Sequence, residues 1–198
     1  MAHAYAYGGA ELAIKTLNQN FGLDIQEYVT VNFAQLTKII DAMGGIDLEI
    51  TEAEREAANG VLLTENPNGK TIKSSGKVHL TGEQATAYSR VRKIDNDIER
   101  SNRQQKVLVA LFDKALSLGT AQYPGVIKQL LPIMETSLSY GDIIGFAPIV
   151  LSSGMTVERN IVPNDADNAK GGNYDGAWYW RYDLDAAGER LRQFIYEE

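Results

Sequence analysis

The sequence predicts an α/β fold, a central mixed β-sheet flanked by helices in a single domain spanning residues 1–198. Three observations carry that expectation. Segments with apolar residues at helical spacing alternate with short runs of strand-like alternation. Clusters of Gly, Asn and Pro separate them. The composition, 44% hydrophobic and 9% aromatic over 198 residues, supplies a full-sized core.

The elements follow in order. Gly8-Gly9 precede ELAIKTLNQNFG, where Leu12, Ala13, Leu17 and Phe21 recur at helical spacing and Gly22 supplies a stop. EYVTVNF alternates as a strand, with Val29, Val31 and Phe33 on one face. FAQLTKIIDAMGG gives a second helix with Phe33, Leu36, Ile39, Ile40 and Met43 inward and Gly44 past its end. IDLEI is a short strand. Residues 52–76 are polar and rich in Gly and Asn, an excursion holding one short helix over 51–58.

Thr81-Gly-Glu-Gln84 has the pattern of a capping box opening a helix through GEQATAYS. A long helix is expected from Asn96 to Leu118. Pro124 and Pro132 bracket another in GVIKQLLPIME, and DIIGFAPIVLSS gives one more. TVERNIV reads as a strand, NDADNAKGGNYDG as a turn-rich loop, WYWRYD as a strand and LDAAGERLRQFIYE as a terminal helix. No internal repeat appears.

Charge and composition exclude several functions. With 19 basic against 26 acidic residues the net charge is −7, which opposes nucleic-acid binding because phosphate neutralisation needs a basic field. There is no cysteine, so disulfides and thiolate metal sites are excluded. His3 and His79 are too few for a multi-histidine metal site. No run of about 18 apolar residues occurs, so neither a membrane span nor a signal peptide is expected.

Against that acidic background, YSRVRKIDNDIERSNRQQ concentrates Arg90, Arg92, Arg100 and Arg103 between Tyr88 and Gln105. If residues 87–92 are extended, Tyr88, Arg90 and Arg92 share one face and two guanidinium groups converge. On the following helix, Asp97, Arg100, Arg103 and Gln104 lie within about 120° of arc, at 100° per residue. The same arc carries Val107, Leu108, Leu111, Ala115 and Leu118, so the charged group continues an apolar, inward stripe. Inward arginines at a helix N-terminus oppose the dipole, which favours anions there. A bound phosphate would resolve that conflict by accepting bidentate guanidinium hydrogen bonds. An internal ion-pair network with the neighbouring carboxylates is the other reading. In either case Asp97 and Gln104 would fix the arginine rotamers, unless Asp97 takes part in the chemistry.

VHLTGEQATAYSRVR and DNDIERSNRQQKVL together resemble the LytR-CpsA-Psr family, whose pattern runs hLxGxxAlxYxRxR and then DxxRxxRQ. His79, Leu80, Thr81, Gly82, Ala85, Tyr88, Arg90 and Arg92 match the first half; Asp97, Arg100, Arg103 and Gln104 match the second. AYAYGGAEL and VNFAQLTKIIDAMGGIDLEI also resemble family segments, as does the tail ending RQFIYEE.

The resemblance implies an αβα domain of a membrane-anchored, extracytoplasmic phosphotransferase of a Gram-positive cell wall. Such an enzyme would move a glycopolymer, teichoic acid or capsular polysaccharide, from a polyprenyl-pyrophosphate carrier to peptidoglycan, assisted by Mg2+. The lipid tail would lie in a hydrophobic tunnel. Carried over by motif, Arg90, Arg92, Arg100, Arg103 and Gln104 would bind the phosphate head group, and Asp97 and Arg100 would be catalytic. The family's first strands, its acidic residues upstream of the AYAYGG segment and its N-terminal anchor have no counterpart in this sequence. The expectation is therefore an N-terminally incomplete domain with no assignable metal ligand, impaired catalysis and sheet edges open to association. Two other readings remain: a polyprenyl-phosphate-binding module without catalysis, and a transcriptional regulator, which the charge and the lack of a helix-turn-helix oppose.

The remaining features have structural readings. Asp41 is expected to serve a helix end, Gly8-Gly9 and Gly44-Gly45 to serve turns, and His79 to pack or cap. Trp178 and Trp180 alternate on one strand face, read as core in preference to a sugar platform. Leu130, Leu131, Ile133, Ile143, Ile144, Phe146, Ile149 and Val150 form apolar helical stretches, either core or a lipid tunnel wall.

Overall fold

In a computed structural model the described residues are 2–92, 94, 97–118, 120–152 and 157–196. They form two compact units, one from residues 1–28 and 158–198 and the other from residues 29–157.

The 29–157 unit begins with β1 (Val29–Thr30), which pairs with β4 (Glu135–Thr136). The expected longer strand stops because Asn32 caps α2 (Phe33–Ala42), its side chain accepting from the Gln35 N–H in a reciprocal capping box. Leu36, Ile39, Ile40 and Met43 are buried as the spacing predicts, but Phe33 is not. The chain then turns through Gly44-Gly45, where φ is +90° at Gly45 and a β-carbon would meet the His79 ring at 2.4 Å. β2 (Ile46–Ile50) buries Ile46, Leu48 and Ile50 on one face and pairs antiparallel with β3 (Gly76–Leu80).

Between these strands lies the main departure from expectation. The helix expected over 51–58 is longer: residues 52–76 open with a fourteen-residue helix, α3 (Glu52–Glu65), capped by Thr51 and Glu54. Its Ala58 and Leu62 are buried, and Asn59 clamps the backbone of buried Ile72 through both its N–H (2.7 Å) and its carbonyl (3.0 Å). The polar composition conceals the extent of the helix because only one narrow stripe faces inward.

α4 (Gly82–Ser89) follows a second capping box, Thr81 with Gln84, and packs against α2 and α3. The approach to α2 requires glycine. A β-carbon at Gly82 would lie 2.0 Å from the Thr37 carbonyl oxygen. Asp41 accepts from the Gly82 N–H at 2.7 Å, so the carboxylate expected to serve a helix end serves the start of α4. α5 (Asp97–Ser117) covers β2 and α4. Its stripe holds at Arg103 and Val107, whereas Leu108 is exposed. The core joins Leu36, Ile40, Ile46, Leu48, Ile50, Ala58, Ile72, Leu80, Ala85, Tyr88, Val91 and Val107. α6 (Tyr123–Leu130) carries Pro124 in its first turn and buries Ile127, and α7 (Tyr140–Ser152) leaves Phe146 and Ile149 exposed.

In the other unit, α1 (Ala2–Phe21) is kinked at Gly8 and Gly9. Phe21 and Leu23 pack with Ala187 of α8 (Leu184–Tyr196), supported by Leu17, Val162 and Leu191. The strand expected in TVERNIV does not form over its described residues, 157–162. The Asn160 side chain and the Ile161 carbonyl are taken instead by Arg190, which also grips buried Asp167 through two bonds of 2.9 and 2.6 Å. That guanidinium holds the Asp167 carboxyl below the usual carboxylate range, against burial, which pushes it up.

β5 (Lys170–Tyr174) and β6 (Ala177–Arg181) make a hairpin where a loop and a strand were expected. Trp178 and Trp180 are not core: they are 54% and 38% exposed and meet edge to face at 5.2 Å. Gly171 and Gly172 oppose Trp180 and Tyr179, and Trp178 lies against Gly171.

The α/β class stands, but the described strands form three two-stranded antiparallel sheets and not one mixed sheet. The reason is local. β5 and β6 are joined by a tight turn, and α3 with the segment after it returns the chain antiparallel to β2, so no described connection makes a parallel crossover.

Candidate functional site: an arginine-lined cleft

α4 ends at Ser89, so residues 87–92 are not extended throughout as the converging-arginine reading supposed. Arg90 is the helix C-cap, with φ −100° and ψ −2°. The convergence survives for a different reason. Val91 is 1% exposed, its N–H bonded to the Tyr88 carbonyl at 3.3 Å, so it is pinned into the core between its two neighbours. Arg90 and Arg92 flank it, the first half-buried and the second exposed.

Both line one cleft of about 370 Å³, together with Phe33, Val61, Glu65, Arg100 and Gln104. α2, α3, the end of α4 and the first turns of α5 each contribute a wall. Arg90 is positioned twice: it pairs with Glu65 and its guanidinium lies over the Phe33 ring, 4.9 Å from the centroid. This explains the exposed Phe33, whose ring serves the cleft and not the core. Gln104 lies at the back, with Nε2 at 3.5 Å from the Ser89 carbonyl.

Arg103, grouped with the head-group residues by motif, is not among the cleft-lining side chains. It is 2% exposed and donates from Nη2 to the Val91 carbonyl at 2.9 Å. It therefore fixes the segment that carries Arg90 and Arg92. Asp97 opens α5, but its side chain lies outside the described residues, as do Asp95 and Asn96. Sequence reasoning missed Val61 and Glu65, which belong to the part of α3 beyond the expected helix; no local signal marks them as neighbours of Arg90.

His79 stands apart from the cleft. Its Nδ1 faces Asp47 Oδ1 at 2.8 Å and its Nε2 faces the Gly44 carbonyl at 2.9 Å, which ties β2, β3 and the glycine turn together. Tyr88 is buried and donates to Glu54 Oε1 at 3.1 Å, joining α4 to the N-terminus of α3.

The cleft places three guanidinium groups, each with five donors, against one described carboxylate, Glu65. That arrangement suits an anion with many acceptor oxygens. No three His, Asp or Glu among the described residues come together as a metal cage; magnesium is commonly held by one or two carboxylates together with substrate phosphates. No described helix is long and apolar enough to cross a membrane.

A polyisoprenyl-teichoic acid–peptidoglycan teichoic acid transferase, TagU of Enterococcus faecalis, is 33% identical over 184 residues, 91% of this chain and 55% of the relative. The chain spans about half the length of the curated relatives it matches, 46–58% of the first three. An Enterococcus faecalis structure described as a transcriptional regulator superposes with a TM-score of 0.75 at 26% identity, over 97% of this chain and 67% of that one. TagT with bound octaprenyl pyrophosphate lipid shares the fold, with a TM-score of 0.66 at 22% identity over 96% of this chain and 68% of that one. Residues 1–194 match the LytR_cpsA_psr family, and the chain belongs to that family.

Proposed function

We propose that this chain is the head-group-binding part of a phosphotransferase that attaches a polyprenyl-pyrophosphate-linked glycopolymer to peptidoglycan outside the cell membrane. The observation that carries this reading is the convergence of Arg90, Arg92 and Arg100 on one open cleft. The names of the relatives supply the polymer class, teichoic acid, and the acceptor, peptidoglycan. The lipid class comes from the octaprenyl pyrophosphate bound by TagT.

Phosphoryl transfer is mostly positioning and charge stabilisation. In the proposed reaction an acceptor hydroxyl of peptidoglycan attacks the phosphorus that carries the glycopolymer and loses its proton to water. The bond from that phosphorus to the bridging oxygen breaks, and polyprenyl phosphate leaves with the electron pair. Arg90, Arg92 and Arg100 neutralise the charge that builds on the leaving phosphate. Arg103 and Gln104 act behind them: Arg103 positions through the Val91 carbonyl, and Gln104 offers a neutral amide at the cleft wall. Asp97, at the mouth of α5, is the proposed partner of Arg100 in the chemistry. Phe33 and Val61 give the lipid an apolar start. Magnesium would share the pyrophosphate charge; no three His, Asp or Glu among the described residues come together to hold it alone, and no step here depends on it.

The test is titration of a polyprenyl phosphate into the chain and into Arg100→Ala, with and without magnesium. Loss of one charge-assisted contact worth about 1.5–3 kcal/mol should weaken binding by about ten-fold or more. Equal binding by both proteins, or none by either, would remove the reading. The net charge of −7 opposes DNA binding, the alternative raised by the description of one structural relative.

A further inference from the structure

The geometry points to a second anion site in the 29–157 unit, a slot of about 320 Å³ beside β3 that takes a phosphodiester of the glycopolymer. Calling the anion part of that polymer rests on the function proposed above; the slot itself does not.

Thr71, Lys73, Ser74, Lys77 and Gln84 supply its polar lining, with His79 at one end. The first wall is rigid. Ile72 is buried and held by Asn59 through both backbone groups, so its neighbours Thr71 and Lys73 turn outward together. Lys73 Nζ lies 3.0 Å from Thr71 Oγ1. The second wall is β3, which has Lys77 and His79 on its solvent face. Gln84 closes the end: its Oε1 accepts from the Thr81 N–H and its Nε2 donates to the Lys70 carbonyl at 2.8 Å, joining the loop to the start of α4.

No carboxylate lines the slot, in a chain whose acidic residues outnumber its basic ones by 26 to 19. Acids stand around it: Glu52 of α3 is hydrogen-bonded to Ser75 beside the slot, Glu83 precedes Gln84 on α4, and β2 carries two more. Asp47 faces His79, and Glu49 stands opposite Lys77 in register without forming an ion pair with it among the described residues. Two ammonium groups and two hydroxyls within one slot suit a phosphate or phosphodiester, for which lysine acts as a point charge. The arginine cleft lies at the other end of the same helix. Gln84 and Arg90 are six residues apart, about 9 Å along the axis of α4 at 1.5 Å per residue. To set a following phosphodiester in the slot, a polymer held by its pyrophosphate in the cleft has to cover that rise and about 120° of turn around α4.

The test uses the whole chain, isotope-labelled, with three probes: a short glycerol-phosphate oligomer, inorganic phosphate and a polyprenyl phosphate. The oligomer is expected to shift the amide signals of residues 71–79 and 84. Lys73→Met/Lys77→Met should weaken it by about ten-fold, and Lys73→Arg/Lys77→Arg should restore it to within about three-fold. Circular dichroism of the Met variant checks its fold. Arg100→Ala should keep the slot shifts while losing polyprenyl phosphate. Slot shifts in a protein that fails to bind polyprenyl phosphate would support the slot and count against the arginine-cleft reading. Unchanged oligomer binding in the Met variant would overturn the slot. Inorganic phosphate binding as tightly as the oligomer would overturn its assignment to a polymer.

Discussion

Alanine at Gly82 should destabilise the 29–157 unit by about 3 kcal/mol. The new β-carbon would sit 2.0 Å from the Thr37 carbonyl oxygen, 2.8 Å from its carbon and 2.9 Å from Asp41 Cγ. Backbone atoms cannot rotate aside, so α2 and α4 must move apart by about an ångström. That movement lengthens the 2.7 Å bond from the Gly82 N–H to Asp41 and the 2.8 Å contact between the Thr37 and Thr86 hydroxyls. Overpacking costs about 1–3 kcal/mol, and a hydrogen bond to a charged group is worth about 1.5–3 kcal/mol. Better helix propensity returns at most about 1 kcal/mol. For a chain of this size the net loss corresponds to a fall of about 6–12 °C in Tm. The measurement is urea denaturation followed by far-UV circular dichroism, because both tryptophans, Trp178 and Trp180, belong to the other unit. Gly60→Ala is the control: it lies within α3 with no heavy atom within 4 Å of the added carbon, so it should gain about 0.5–1 kcal/mol. If both variants shift the urea midpoint upward by similar amounts, the close-approach argument fails.

Other perturbations separate the roles of the site and its supports. Glu65→Gln removes the carboxylate that competes for Arg90, so polyprenyl phosphate should bind several-fold more tightly in a titration. The exposed pair contributes little, and stability should change by less than about 1 kcal/mol. Arg103→Met leaves the Val91 carbonyl without its guanidinium donor. It should cost about 1–3 kcal/mol in urea and weaken phosphate binding although Arg103 does not line the cleft. Asp167→Asn should lose about 3 kcal/mol at neutral pH, because Arg190 keeps its charge without a carboxylate. The folded Asp167 pKa is depressed, so its contribution is present above the ordinary carboxylate range and is lost as pH falls through the folded value. Acid titration of stability should therefore be steeper for the wild type than for Asp167→Asn below about pH 4.

Much of this protein was legible in the sequence because local chemistry decided it. The capping box at Thr81 marked one helix start, and the structure uses the same device, unread in the sequence, at Asn32 and Thr51. The alternation in IDLEI fixed which residues of β2 are buried. The 3.6-residue period placed Arg103 and Val107 inward on α5, and the motif arginines named the candidate site. The extent of α3 was hidden, since a polar helix with one narrow inward stripe resembles a loop in composition. The aromatic strand misled because alternation cannot tell a face packed on a core from one left exposed on a two-stranded hairpin.

Tertiary structure alone decided the division of labour among the arginines. Arg90, Arg92 and Arg100 line the cleft and Arg103 does not, because Val91 is buried and its carbonyl draws Arg103 in. Phe33 and Glu65 meet Arg90 only through the packing of α2, α3 and α4, which no local pattern encodes. Residue types and their periods determined which chemistry this protein carries. Contacts between elements distant in sequence determined which of those residues meet at one surface.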